Sequence, residues 1–391
     1  MKGSWATALF AAAGSLILCA EAGEVRREGN YWVAEQQGAA PARGLRVVHI
    51  FAPGLVSIRG SATDTITWTV RARAQAADQR KARAFLSTVQ ARQRRAADDL
   101  VLSLSALAGQ PDADIAVVVP SAMPLCAIRT KGGSVQAADL GGSLDVASDA
   151  GSLQLDGIRG SLTARTGGGD IRIGRVDGDA RCFTGAGLIR VDWIGGIGRL
   201  DTAGGEIVVQ HVHGPLVAAS AGGNIEVQRA DSSITARTKG GIIEVGQAVG
   251  PVMADTAGGA IQITGSSGTQ CQASEGGIHL KNVAGAVQAI SGAGDIVAEL
   301  MAGRRLENSK LSTNSGDVTV VIPASVAVTV VAQSTRKAGT GRIVSDFPEI
   351  RVADGGGLTG GLEMAEGALN GGGPLLQVLA SGGSVYLKRR R

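Results

Sequence analysis

Apolar and polar residues alternate in short segments through the middle of the chain, and these segments recur every eighteen residues. Each segment opens at a glycine, and aliphatic residues usually stand two and four positions after it. This period-two alternation predicts short β-strands with one buried face. The glycines of the series are Gly133, Gly151, Gly169, Gly187, Gly205, Gly223, Gly241, Gly259 and Gly277.

A second strand is predicted in the other half of each repeat. A glycine precedes most of these strands, with Ser232 in its place once, and two inward apolar positions follow. Two residues later a hydroxyl side chain recurs, which predicts a ladder of hydroxyls at one corner. Its predicted members are Thr130, Ser148, Thr166, Thr184, Thr202, Ser220, Thr238, Thr256 and Ser274.

A repeat of this length is too short for a βαβ unit, but it holds two strands and two glycine turns. We therefore predict an all-β, single-chain β-solenoid (β-helix), with one coil for each repeat of about eighteen residues. Equivalent side chains would then stack at about 4.8 Å and form one continuous core. Glycine fits the corners because tight turns often need positive φ and close backbone approach. A β-sandwich with coincidental spacing is the alternative.

The region before the regular repeats is less periodic. Residues 23–44 are predicted to be a linker, and residues 45–125 to form irregular first coils. Within them we predict an inserted amphipathic helix at 76–97, because apolar residues such as Ala82 and Leu86 have helical spacing there.

The regular solenoid is predicted to cover residues 126–300. Residues 301–391 are predicted to form irregular C-terminal coils, a glycine-rich loop at 355–373 and closing strands. The last two strands, at 375–379 and 383–387, have the appearance of a hairpin.

Residues 1–22 are predicted to be a signal peptide. An almost unbroken apolar run from Trp5 to Ala20 is followed by small residues that fit cleavage between Ala22 and Gly23. A transmembrane anchor would need about 20 apolar residues, which this run does not reach. Lipid attachment at Cys19 is a second alternative. We expect export to the periplasm, the cell surface or the medium, with no transmembrane span in the mature chain.

Composition agrees with a rigid, exported repeat protein. The chain has 59 glycines, only 3% aromatic residues and a net charge of +4, so its charge predicts no nucleic-acid partner. The cysteines of the mature chain are Cys126, Cys182 and Cys271. In the eighteen-residue register Cys126 and Cys182 point inward about three coils apart, which is too far for a disulfide.

Eight basic residues cluster in and around the predicted helix. They are either a patch for anionic glycans, lipopolysaccharide or nucleic acid, or the solvated face of a helix that covers the open end of the solenoid. We favour the second interpretation. The residues are Arg71, Arg73, Arg80, Lys81, Arg83, Arg92, Arg94 and Arg95.

The repeats resemble the bacterial putative adhesin domain family, a β-strand-repeat domain of unknown function. The unit Thr166-Gly-Gly-Gly-Asp-Ile-Arg-Ile173 is similar to that family's repeat, and the ending around Gly341-Arg-Ile-Val-Ser-Asp-Phe347 is the more specific match. The resemblance covers about residues 45–388. It departs from the family in the charged helix and in Gly-Gly where Ser-Gly-Asp is commoner. The resemblance implies a surface or periplasmic β-solenoid and supplies no catalytic residues.

Two sets of outward residues are candidates for enzyme or metal chemistry. Glu226 and Glu244 would be stacked neighbours and are the best acid pair for a carbohydrate-active β-helix enzyme, either a lyase or a hydrolase. His211 and His213 lie together, but no further ligand occurs at suitable spacing in their coil. We predict no catalytic residues, no metal and no cofactor.

One outward group is a candidate ligand site. Trp193 could stack on a sugar ring, and Asp192 beside it, with Arg175, His211 and Arg229 in neighbouring coils, could bind the hydroxyls. A tryptophan packed beneath a loop is the alternative.

The sequence as a whole favours a non-enzymatic, exported scaffold or binding protein whose partner is a glycan or another envelope component. The alternatives are the carbohydrate-active enzyme and an envelope scaffold that assembles end to end. The last requires an uncapped terminal coil.

Overall fold

The computed structural model of the chain describes residues 24–105, 112–335, 341–354 and 361–390. The predicted signal peptide, its cleavage point at Ala22 and Gly23, and Cys19 lie outside these ranges. Two sheets of eighteen strands each run along the molecule, and successive strands of the regular coils alternate between them. This arrangement confirms the predicted β-solenoid. No helix in the described ranges has the length and apolar character required to cross a bilayer.

The N-terminal part contains eight strands and the one helix found in the described residues. These elements are β1 (Arg26–Glu28), β2 (Tyr31–Pro41), β3 (Val47–Ala52), β4 (Val56–Ser61), β5 (Thr65–Ala74), α1 (Gln79–Leu86), β6 (Gln90–Ala96), β7 (Asp99–Ser105) and β8 (Asp112–Pro120).

The regular coils follow, with odd-numbered strands in one sheet, called sheet B, and even-numbered strands in the other, called sheet A. They are β9 (Leu125–Thr130), β10 (Val135–Ala138), β11 (Ser143–Ser148), β12 (Leu153–Asp156), β13 (Leu162–Thr166), β14 (Ile171–Val176), β15 (Ala180–Thr184), β16 (Ile189–Ile194), β17 (Gly198–Thr202), β18 (Ile207–Val212), β19 (Leu216–Ser220), β20 (Ile225–Ala230), β21 (Ile234–Thr238), β22 (Ile243–Ala248), β23 (Val252–Thr256), β24 (Ile261–Ile263), β25 (Thr269–Ala273), β26 (Ile278–Val283), β27 (Val287–Ser291) and β28 (Ile296–Leu300).

The C-terminal part completes both sheets. Its strands are β29 (Ser309–Thr313), β30 (Val318–Ile322), β31 (Val328–Thr335), β32 (Ile343–Ser345), β33 (Arg351–Asp354), β34 (Leu362–Leu369), β35 (Leu375–Ala380) and β36 (Val385–Arg389).

The core consists of the predicted aliphatic columns. Ile189 pairs in parallel with Ile171 on one side and with Ile207 on the other, and all three are fully buried. The same register links strand after strand, so the buried side chains form one continuous core between the sheets. Each coil thus buries its apolar face only against its neighbours, as in other solenoids.

The main glycines are required by close backbone approach. A Cβ built on Gly205 would lie well under 3.0 Å from the backbone of Gly187, one coil earlier. The same collision recurs along the column, although the glycines with positive φ among the described residues lie elsewhere, for example Gly157 and Gly285. The predicted contribution of close approach is therefore correct, and that of positive φ is wrong for this column.

The hydroxyl ladder ties neighbouring coils together. Thr184 is fully buried, its hydroxyl donates to the carbonyl oxygen of Gly169 at 2.8 Å, and its Oγ1 accepts the N–H of Gly187 at 3.1 Å. Each hydroxyl thus satisfies backbone groups at a corner that would otherwise be buried without partners. The same pair of bonds is made by Thr130, Ser148, Thr166, Thr202, Ser220, Thr238, Thr256 and Ser291.

One coil is shorter by a residue, and the ladder prediction fails there. Ile261 pairs with Ile278, seventeen residues later, and Thr256 pairs with Ala273. Ala273 therefore occupies the ladder position that was predicted for Ser274, and Ser274 is exposed.

The glycine column slips at the same place. Gly276 stacks on Gly259, whereas a Cβ on Gly277 would meet only contacts of 3.2 Å or more. The prediction of Gly277 in the column is wrong because Gly276 and Gly277 are adjacent, which conceals a deletion between Ile263 and Thr269.

The predicted linker at 23–44 is structured instead. Strand β1 pairs with β2, and β2 pairs along its whole length with β5 in antiparallel orientation. The linker prediction is wrong because Val33, Ala34 and Ala40 are buried and extend the core.

The inserted helix is shorter than predicted. Helix α1 ends at Leu86, and the rest of the segment predicted at 76–97 contains β6, which pairs with β7. Asp78 caps the helix by accepting the N–H of Lys81 at 2.8 Å. Ala82 and Leu86 are buried, and the helix packs on β2 and β5 at the N-terminal end.

Two C-terminal predictions also need correction. The segment 355–373, predicted as a loop, contains β34, which pairs with β31 because alternate residues such as Ala365 and Leu369 are buried. The last two strands are not a hairpin. Strand β35 lies in sheet B and β36 in sheet A, so they form the two sides of a coil that stacks on β29 and β30.

The three cysteines of the described residues are free and buried. Burial raises the pKa of each thiol, Cys126, Cys182 and Cys271, to about 12. They act as small apolar core residues and are poor nucleophiles in the folded protein.

Candidate functional site

The predicted ligand site forms a row across four adjacent strands of sheet A. Arg175, Trp193, His211 and Arg229 are lateral neighbours in β14, β16, β18 and β20. Each strand bends just before this row, so that two successive residues face outward, as Asp192 and Trp193 do in β16. The fixed repeat therefore brings together four of the five predicted residues, which we call the Trp193 row.

Trp193 lies between two of its neighbours and is only half-exposed. The guanidinium carbon of Arg175 is 5.3 Å from the centroid of the indole ring, and the ring of His211 meets it nearly edge-on at 4.4 Å between centroids. Arg175 and His211 belong to strands on opposite sides of Trp193. A sugar ring that stacked on the indole face would therefore have to displace one of them.

Asp231 organises one end of the row. Its Oδ2 is 2.9 Å from Nε2 of His211 and 3.1 Å from Nδ1 of His213, and its Oδ1 accepts the Nε–H of Arg229 at 3.1 Å. The hydrogen bond with His211, followed by those with His213 and Arg229, lowers the pKa of Asp231 below its ordinary value. The side chain is 22% exposed and remains a carboxylate.

Asp231 was missed at the sequence level, although a signal existed. It follows His213 by one full repeat of eighteen residues, so stacking places the two side by side. The partner of His211 and His213 thus lies in the next coil and not in their own. In the described ranges, no group of three or more histidine, cysteine or acidic side chains has an arrangement that could hold a metal ion.

The two arginines of the row keep free donors. Arg175 donates its Nε–H to Asp177 at 2.7 Å, as Arg229 does to Asp231, and the two side chains are 60% and 56% exposed. In both cases the pairing uses Nε, so the terminal NH2 groups make no hydrogen bond with the described residues. The row thus offers two guanidinium groups three strand steps apart, or about 14 Å.

Asp192 does not join the Trp193 row. It lies before the bend and lines a shallow depression of about 570 Å³ together with Arg172 and Arg190. Arg172 pairs with Asp170 at 2.9 Å, whereas Arg190 has no ion pair among the described residues.

The acid pair considered for catalysis is adjacent, as the repeat predicts. Glu226 and Glu244 are lateral neighbours in β20 and β22 and project from the outward side of sheet A. Both therefore belong to one face of one sheet.

Several of the clustered basic residues secure the N-terminal strands. Arg71 pairs with Glu28, Arg73 pairs with Asp114 at 2.6 Å, and Arg95 donates to the carbonyl oxygen of Arg43 at 2.6 Å. These contacts support the interpretation of the cluster as part of the end of the solenoid.

Comparison with known proteins shows that part of the chain is similar to one family. Residues 198–337 match the model of the family Toastrack DUF4097. None of the curated proteins matches the chain.

Two solved structures are similar over most of their length. One is a "putative cell adhesion protein" from Clostridium sporogenes ATCC 15579, with 8% identity, coverage of 91% of this chain and 99% of that chain, and a TM-score of 0.17. The other is a "putative adhesin" from Bacteroides fragilis NCTC 9343, with 11% identity, coverage of 73% and 97%, and a TM-score of 0.26. The family match agrees with the resemblance seen in the repeats, because residues 198–337 are similar to the model of the Toastrack DUF4097 family.

Proposed function

We propose that this protein is an exported, non-enzymatic scaffold that binds a glycan or another envelope component along its outward faces. The observation that carries the proposal is the continuous lateral pairing of the strands in both sheets. Eighteen strands per sheet at about 4.8 Å make a rod of about 80 Å, on which outward side chains repeat at fixed intervals. Such a rod suits the recognition of extended ligands.

The Trp193 row is the proposed contact site. Arg175 and Arg229 present their free NH2 groups about 14 Å apart, a span of two to three sugar units, and Trp193 and His211 lie between them. Because both sides of the indole ring are occupied, hydroxyl or carboxylate groups of the ligand would bind the guanidinium groups, and the half-exposed ring would supply apolar contact.

A glycan array tests this site directly. The wild type, Trp193→Ala and Arg229→Ala are compared with Arg165→Ala, which removes an exposed arginine without an ion pair from the opposite sheet. We expect wild-type binding to be retained in the Arg165 variant and reduced at least about tenfold in the other two. Absence of binding in the wild type, or equal binding in all four proteins, would contradict the proposal.

The enzyme alternative depends on Glu226 and Glu244. A glycosidase holds its two carboxyl groups on either side of the scissile bond, whereas these two project side by side from one face of sheet A. We therefore expect no hydrolysis or elimination of acidic and neutral polysaccharides. Turnover that disappears in Glu226→Gln or Glu244→Gln would establish the enzyme instead.

Assembly end to end is disfavoured by the structure of the N-terminal end. Helix α1 packs there, and the outermost strands β1 and β6 carry several arginines. Charged edge strands resist pairing with another chain.

A further inference from the structure

One outward column of sheet A changes the sign of its charge at its midpoint. We call this column the charge ladder. Its members are lateral neighbours on nine consecutive strands, namely Gln136, Gln154, Arg172, Arg190, Val208, Glu226, Glu244, Gln262 and His279.

The charge ladder is self-complementary about Val208. One strand step from Val208 lie Arg190 on one side and Glu226 on the other, and two steps away lie Arg172 and Glu244. Three steps away both residues are glutamines. Because the strands are evenly spaced, each arginine is as far from Val208 as the glutamate opposite it.

The adjacent outward position is symmetric only in its glycines, because Asp192 and Gln228 differ on the two sides of Gln210. Two residues after Arg172 stands Gly174, and two residues after Glu244 stands Gly246. These two glycines lie equally far from Gln210, which is two residues after Val208. Both glycines are required by contacts within the chain, since a Cβ on Gly174 would collide with the carboxylate of Asp156 and one on Gly246 with the backbone of Gln228.

Most of these charges make no ion pair with the residues that the structure describes. Arg190, Glu226 and Glu244 make no ion pair among the described residues, and Glu226 only accepts a long hydrogen bond of 3.4 Å from Gln228. Arg190 and Glu226 are two strand steps apart, about 10 Å, which separates them beyond ion-pair distance along the ladder. Val208 between them is 6% exposed, so it projects little from the centre of the ladder.

We infer that the charge ladder is a homodimer interface, on which a second copy of this chain lies side by side and antiparallel. The two-fold axis runs parallel to the strands at Val208. It places Arg190 opposite the partner's Glu226 and Arg172 opposite the partner's Glu244, and each contact occurs twice. A symmetric interface of this kind requires one self-complementary patch, which the ladder supplies.

The area of this face determines the affinity that we expect for the dimer. Nine strands with about five residues each cover on the order of 600 Å² per protomer, or about 1,200 Å² in total. This area is at the lower limit of specific interfaces, so we expect a weak dimer with micromolar affinity. Salt should weaken it, because the Debye length falls from about 10 Å at 0.1 M to about 3 Å at 1 M.

Charge reversal tests both the interface and its register by sedimentation velocity. Arg190→Glu alone and Glu226→Arg alone each set like charges against each other twice, so we expect each to weaken the dimer at least about tenfold. An equimolar mixture of the two variants should form a heterodimer, because every reversed residue then faces an opposite charge. Arg165→Glu, on the outward side of sheet B, is the matched control and should dimerise like the wild type.

The mixture also distinguishes a lost interface from a misfolded variant, since only folded variants can associate again when mixed. A wild type that stays monomeric at about 100 μM and low salt would overturn the inference, on the scale of weak interfaces. So would a dimer that both single variants retain, or single variants that do not associate when mixed. The Trp193 row lies three residues further along the same strands, but none of its residues is reversed in these variants. Glycan binding and dimerisation are therefore tested by different substitutions and can fail separately.

Discussion

The regular coils and the two ends of the molecule differ in how their strands pair. Between β9 and β24 every strand is parallel to its neighbours, and each coil repeats the previous one. At the N-terminal end β1, β2, β5 and β6 pair antiparallel, and at the C-terminal end β33 and β34 do so. A coil inside the stack needs only to match its neighbours, whereas an end must terminate two sheets.

The ends also differ in how their edges are protected. At the N-terminal end β6 exposes Arg92, Arg94 and Arg95, and β1 carries Arg26 and Arg27. At the C-terminal end the outermost strands β32 and β33 are only 3 and 4 residues long. Charge and shortness are two recognised ways to prevent edge-to-edge pairing. The comparison indicates that repeated coils stabilise the middle of the molecule, and that the irregular ends prevent further chains from pairing with the sheet edges.

The largest effect is expected from filling a glycine position in the stack. In Gly169→Ala the new Cβ would collide with the backbone of Gly151, so we expect a loss of about 3 kcal/mol in the free energy of unfolding. Gly168→Ala, in the same turn, places its Cβ in open space and should change stability by less than about 0.5 kcal/mol. Chemical denaturation measures both. Equal effects would remove close backbone approach as the reason for the column.

A smaller loss is expected from the hydroxyl ladder. Thr184→Val keeps the shape but leaves the carbonyl of Gly169 and the N–H of Gly187 without their partner, which should cost about 2 kcal/mol in denaturation experiments.

The natural gap in the ladder gives the converse experiment. Ala273→Ser adds a hydroxyl at the one ladder position of the regular coils that lacks it, and we expect a gain of about 0.5 kcal/mol. If Thr184→Val lowers the free energy of unfolding and Ala273→Ser does not raise it, the ladder stabilises only coils of eighteen residues.

The contacts of Asp231 with His211, His213 and Arg229 should make the stability of the fold sensitive to acid. Because the pKa of Asp231 is lower in the folded than in the unfolded chain, its contribution is complete above its ordinary value of 3.8 and is lost as pH falls through the folded pKa. Asp231→Asn should therefore lose about 1 kcal/mol at pH 6 and show a smaller further loss below pH 4 than the wild type. Parallel pH profiles of the two proteins would show that the cluster does not stabilise the fold.

The smallest effect on stability is expected at the edge of the stack. Arg94→Thr in β6 removes an exposed charge, so the free energy of unfolding should change by less than about 0.5 kcal/mol. Aggregation measured by light scattering should nevertheless increase, because the free edge then pairs more readily with other chains. Arg165→Thr, within the stack, is the control and should not aggregate.

The regular coils could be predicted because one contact rule repeats. The spacing from Ile171 to Ile189 to Ile207 fixes both the core and the outward rows, so the neighbours of Trp193 followed from arithmetic alone. The same arithmetic failed at Ser274, where a deleted residue is hidden by adjacent glycines. The spacing of eighteen residues from His213 to Asp231 carries the same signal for that contact.

The ends could not be predicted as well, because their contacts have no period. The burial of Val33 and Ala34 depends on pairing with β5, some forty residues away. Residues 90–96 resemble a charged helix by composition, and only the partner strand β7 makes them a strand. Tertiary pairing overrides local preference in such segments.

Distances between spin labels on one outward column would test the stacking most directly. Ala147, Ala219 and Asp255 lie on the same column of sheet B, and Ala147 is four coils from Ala219 and six from Asp255. With Cys19 replaced and the three buried thiols unreactive, cysteines introduced as the pairs 147/219 and 147/255 can be labelled selectively. We expect pulsed electron paramagnetic resonance to give about 19 Å for the pair 147/219 and about 29 Å for the pair 147/255, which corresponds to about 4.8 Å per coil. Distances that do not increase in proportion to the number of repeats would contradict a stacked solenoid.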